Sequence, residues 1–243
     1  MSSEPSTAAR SESFALAQGL RDTRGAFERW RADPPAVLGP WFAGAMAIAF
    51  GLLAAIWLVS LLVTPDLTPY YVPGLDGPIG PADLAPILWR NLLVLALHAT
   101  ACVAGFIAGS SMRQVAETKT GLSRVIHERA GPVAIGWVIA VTVFSLLTQS
   151  LALGLHAATV SNQLGMSSAL LVLTVLPHAM IELTAVFLPL AAWLIASRRD
   201  EWHDLLAATF LTVGLALPML AIAAAIEVTW WPELLELASP RLG

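Results

Sequence analysis

The sequence predicts an all-α protein, a polytopic bundle of about five membrane-spanning helices with no sizeable soluble domain. Three observations carry that prediction. Of 243 residues, 57% are hydrophobic and only 12% are charged, about half the charged share of an ordinary soluble domain. The apolar residues gather in runs of about twenty, the length a helix needs to cross ~30 Å of hydrocarbon at ~1.5 Å per residue. Basic residues collect in alternate connections, as they do when successive loops face opposite sides of a membrane.

Residues 1–36 are polar and read as a cytoplasmic tail with an amphipathic helix: Leu16, Leu20, Phe27 and Trp30 share one stripe, and Arg21, Asp22, Arg24, Glu28, Arg29 and Arg31 lie around the rest. That stripe suits a helix lying against the membrane surface. No early apolar stretch ends in small residues, so a removable signal peptide is not expected. Residues 37–230 form the transmembrane domain. Its spans are expected near Trp41–Val63, Ile87–Ser110, Pro132–Gly154, Ser167–Ser197 and Leu205–Val228. A Pro/Gly-rich loop with Pro69, Pro73, Pro78 and Pro81 follows the first span, and a short His156–Gly165 loop follows the third. Residues 231–243 remain as a short extracytoplasmic tail.

Orientation follows from the basic residues. Five Arg precede the first span, three Arg and Lys119 lie in the 112–131 segment, and two Arg lie in the 198–204 turn. The 64–86 and 155–166 loops have none. The N-terminus is therefore expected in the cytoplasm and the C-terminus outside. Arg90 can snorkel from its span end, and Arg241 stands alone in the outer tail. Trp41, Trp137 and Trp193 are expected at the inner interface, with Trp89, Trp230, Trp231, Tyr70 and Tyr71 at the outer one.

Polar groups inside apolar spans need a reason, since a mid-bilayer charge costs ~2.5–3.5 kcal/mol or more. His178 and Glu182 are one turn apart on one face, within hydrogen-bonding reach. Asn91 and His98 share a face of the second span, and Glu227 ends the fifth. A helical ruler puts His98 and His178 at a similar depth of ~15 Å and Asn91 and Glu227 nearer the outer surface. Pro177 is expected to kink or break the fourth span and free the Leu173 carbonyl. Three readings are open for His98, His178 and Glu182: an interhelical network that fixes packing, a proton or ion path, or a zinc site. The spacing is not H-E-x-x-H, and no G-x-S-x-G marks a serine hydrolase. Gly105 and Gly109 allow close helix approach, within the bundle or at a dimer seam. One cysteine, Cys102, excludes an internal disulfide. Net charge of −4 leaves no basic surface for nucleic acid.

The stretch Leu176-Pro177-His178-Ala179-Met180-Ile181-Glu182-Leu183 resembles the P-H-G-x-x-E-L signature of stage II sporulation protein M and its relatives. Asn91 at the start of the second span is similar to the asparagine of that family, and Ala224-Ala225-Ile226-Glu227 to its A-x-x-E ending. Order and spacing agree over about residues 85–230, as for a distant member. The resemblance implies a bacterial inner-membrane protein without known catalytic chemistry. In spore formers its relative works with two peptidoglycan-degrading partners, which it is thought to anchor.

The function expected is a non-enzymatic membrane scaffold or anchor subunit of an envelope complex. Asn91, His98, Pro177, His178, Glu182 and Glu227 would form its polar interior, with no catalytic residue, metal or cofactor. Partners expected are the lipid bilayer and other membrane or envelope proteins, including peptidoglycan-remodelling ones. The alternative is a small permease or ion-conducting subunit that uses the mid-membrane His/Glu pair; an intramembrane metal-dependent hydrolase ranks third.

Overall fold

The computed structural model describes residues 19, 21–68, 71, 75, 77, 80–111 and 121–242. A short helix over 21–30 is followed by α1 (Pro34–Leu62), α2 (Pro81–Phe106), α3 (Gly121–Leu164), α4 (Ser168–Arg199) and α5 (Leu205–Ala238). No strand occurs among the described residues. Five helices are long and apolar enough to cross a membrane, and the chain is a multi-pass membrane protein. Leu16, Leu20, Tyr70, Pro69, Pro73, Pro78, Arg113 and Lys119 lie outside the described residues, as do the side chains of Arg124, His127 and Arg129.

Local chemistry sets the helix ends. Asp33 caps α1 by accepting from the Ala36 N–H at 3.3 Å, with Pro34 next, where a missing N–H costs nothing. The helix α3 stops on Gly165, whose φ of 67° suits a residue without Cβ. The Met166 N–H returns to the Ser161 carbonyl at 3.0 Å, a Schellman closure. Ser167 then caps α4 by accepting from the Leu170 N–H at 3.2 Å.

α4 is the axis of the bundle: it packs most extensively on α5, then on α1 and α2. Its spanning window is 72% buried, against 17% for α3. Residues 183–193 are buried without interruption, the signature of a helix apolar all round and enclosed on every side. Small residues permit the close approach. Gly44 of α1 faces Ala191, and Ala208, Thr212, Ala216 and Ala224 line the buried stripe of α5. The helix α3 packs mainly on α1 and touches α2 and α4 little.

The end of the bundle where α1 begins is here the N face, and the other the C face. On the N face, Trp30 of the short helix meets Trp41 edge to face at 5.2 Å, and Arg29 donates to Asp204 at 2.5 Å. The amphipathic segment is thus docked on the bundle by its tryptophan and one ion pair. On the C face, the ends of α3 and α5 and the start of α4 enclose a second small core of Val160, Leu164, Leu171 and Leu235.

Several expectations need correction. The His156–Gly165 loop is helical through Leu164, because only Gly165 supplies the stop. Residues 231–238 of the expected tail continue α5. The helix α4 is continuous through Pro177 and does not break; the Pro177 ring is exposed, outside the polar interior to which it was assigned. Trp193 is 5% exposed and sits against the Gly105 backbone in the core, not at an interface. Trp41 is likewise buried. Gly105 and Gly109 receive Trp193 and Trp202 from within the chain, so they serve packing inside the bundle.

Candidate polar junction between α2, α4 and α5

Three helices bring the polar side chains together by periodicity. On α4, Thr174, His178, Glu182 and Val186 recur every fourth residue and share a stripe. On α2, Asn91, His98 and Cys102 fall seven and four apart on one face. On α5, Glu227 and Trp231 are one turn apart.

Toward the C face, Asn91 stands opposite Glu182, and Arg90 lies within electrostatic reach of both Glu182 and Glu227. The two carboxyl groups are close enough to oppose each other as like charges. Arg90 is exposed and acts on the two carboxyl groups through space, which fits a cation at the end of its span. His178 meets Trp231 edge to face at 5.7 Å, and Trp231 Nε1 donates to Thr174 Oγ1 at 3.4 Å.

Two buried polar atoms of the junction, His178 Nδ1 and Glu227 Oε2, have no hydrogen-bond partner in the chain, and a third, Asn91 Nδ2, lies beside Glu182 without a bond of good geometry. No hydrogen bond closes between His178 Nδ1 and Glu182, although they share a face. An orphaned buried group costs ~1–3 kcal/mol, so the junction is polar beyond what helix packing requires.

His98 belongs elsewhere. It is 1% exposed, its Nδ1 pairs with the Val186 carbonyl at 2.9 Å, and its ring tilts against Phe187 at 5.2 Å. One turn on, Cys102 Sγ donates to the Pro189 carbonyl at 3.0 Å. These two bonds stitch α2 to the α4 backbone around a second proline, which the sequence reading passed over. Val186 lies two turns beyond His178 on α4, ~12 Å along the axis, so the two histidines do not share a layer. Among the described residues, no group of three or more His, Cys, Asp or Glu is arranged to hold a metal ion.

The family comparison matches residues 130–232 to stage II sporulation protein M, somewhat under half of the chain. Over that stretch the chain is SpoIIM-like. The match includes Pro177, His178, Glu182 and Glu227 and begins after Asn91 and His98, so α4 and most of α5 fall inside it and α2 does not. No curated protein and no solved structure matches the chain.

Proposed function

We propose that this chain is a non-conducting scaffold or anchor subunit of an envelope complex in a bacterial cytoplasmic membrane, with its N-terminus inside and its C-terminus outside. The observation that carries the reading is the unbroken burial of α4 residues 183–193. Eleven consecutive residues, from Leu183 to Trp193, pack on all sides between the polar junction and the N face. A conducting path needs polar groups or water along its length; this stretch is close-packed and mostly apolar, with Thr184 and the Trp193 indole N–H as its buried polar side-chain groups. His98 adds one unpartnered polar atom at this level, its Nε2, while its Nδ1 is held by the Val186 carbonyl. The Trp231–Thr174 bond and the His98 and Cys102 bonds to the α4 backbone hold α2, α4 and α5 in register. The likeness of residues 130–232 to stage II sporulation protein M favours an envelope role, and peptidoglycan-remodelling enzymes are the partner class we take from that resemblance.

The permease reading rests on the unpartnered His178 Nδ1 and Glu227 Oε2, which suit a site that takes up a proton or ion. One experiment separates the two. The purified chain is reconstituted in vesicles, and proton and sodium flux are followed beside recovery of a cross-linked peptidoglycan hydrolase from membranes. The scaffold predicts flux no greater than in empty vesicles, hydrolase recovery preserved in Glu182→Gln, and recovery reduced in Glu182→Leu. Flux in the parent that Glu182→Gln abolishes, with the fold intact, would establish the permease instead.

A further inference from the structure

At the N face, the short helix, the start of α1 and the α4–α5 turn enclose a cavity of about 260 Å³. Its walls include Arg29, Trp30, Trp41, Arg199, Glu201 and Asp204. The charges sort into two classes. Arg29 and Asp204 neutralise each other through their ion pair. The guanidinium of Arg199 and the carboxylate of Glu201 have no side-chain partner among the described residues. The site therefore offers one free cation and one free anion beside indole rings, and its four charges sum to zero.

We propose that this cavity binds the headgroup of a zwitterionic phospholipid that carries a primary ammonium, of the phosphatidylethanolamine class. Arg199 faces the phosphate, as a fork of N–H donors suited to phosphate oxygens. Glu201 accepts from the ammonium, and Trp30 and Trp41 supply the amphipathic walls expected at headgroup depth. Position favours a lipid over a soluble zwitterion. The cavity lies where the apolar spans end, between the Asp33 cap of α1 and the last turn of α4, and Val37, Ala196 and Ala208 give it an apolar side. An anionic headgroup would satisfy Arg199 and leave Glu201 repelled; a quaternary ammonium would reach Glu201 without a hydrogen bond to give. The inference does not depend on the scaffold reading, since an N-face lipid site is compatible with either a scaffold or a permease.

The test uses the full chain in detergent with mixed micelles of phosphatidylethanolamine, phosphatidylglycerol or phosphatidylcholine. Retained lipid is read by mass spectrometry and the thermal midpoint by fluorescence. Phosphatidylethanolamine should raise Tm saturably and be retained about tenfold more than either other lipid, the factor one charge-assisted hydrogen bond is able to supply. Glu201→Gln should remove that preference, Arg199→Gln should lower retention of all three lipids, and both should leave the lipid-free Tm at the parent value. Equal retention of the three lipids by the parent chain, a comparison that needs no variant, overturns the proposal. So does a preference that survives in a folded Glu201→Gln protein.

Discussion

The seam between α1 and α3 depends on one missing methyl group. At Gly154, a Cβ would fall 2.5 Å from Val59 Cγ1, 2.6 Å from Val59 Cβ and 3.1 Å from the Ile56 carbonyl oxygen. Ordinary contact begins at 3.4 Å, so Gly154→Ala forces the two helices apart by roughly 1 Å, within the range where packing contacts are forfeited. Val59 cannot swing aside, because a β-branched side chain in a helix has one strongly preferred rotamer, and Ile56 contributes backbone. Overpacking of this kind costs ~1–3 kcal/mol, and it falls on the one helix held mainly by a single neighbour. Gly136 on the same helix is the control, with nothing within 4 Å of its added Cβ. Gly136→Ala should be neutral or stabilising by up to ~1 kcal/mol through helix propensity. Unfolding in mixed micelles, followed by tryptophan fluorescence, reads both variants. If Gly154→Ala unfolds at the same denaturant fraction as Gly136→Ala, the account of the α1–α3 seam is wrong.

Three further outcomes are expected. His98→Leu keeps the volume and loses the bond to Val186, costing ~0.6 kcal/mol and at most ~2, whereas His98→Ala adds a cavity beside Phe187 and should cost ~2 kcal/mol or more in the same assay. Arg241 donates to the Asn162 and Gln163 carbonyls at 2.8 and 2.6 Å; Arg241→Ala should cost ~0.3–1 kcal/mol as a lost charge at a helix C-terminus, with faster hydrogen exchange at residues 162–166 as the readout. Asp66, in the loop after α1, accepts from the Thr68 backbone N–H at 3.0 Å and its hydroxyl at 2.9 Å, which hold its pKa below the ordinary aspartate value. A depressed carboxyl contributes stability above its unfolded pKa and loses it as pH falls through the folded value. Thr68→Val should therefore move the Asp66 titration partway back up, and an unchanged titration by NMR would remove the hydroxyl from the account.

Much of this protein was legible before any fold was known. Length and composition determined five spans, because a bilayer admits only backbone that satisfies itself within a helix. The spacing of His178 and Glu182, and of Asn91 and His98, determined which polar groups share a face of one helix, since 3.6 residues per turn is a local constraint. The family signature around Pro177 was equally readable, being a property of contiguous residues.

What faces what across helices was decided by the tertiary structure alone. Asn91 stands with Glu182, His98 reaches the Val186 carbonyl and not His178, and Trp193 lies in the core against Gly105 and not at the interface. Pro177 faces outward and leaves α4 unbroken, and α3 runs on through Leu164 until Gly165 stops it. The physical reason is common to all of these. Apolar spans resemble lipid on every side, so periodicity sets neither their rotation nor their relative depth. Those are set by small residues such as Gly44, Gly105 and Gly154, which admit one neighbour at one level, and the polar groups take the partners that this packing places before them.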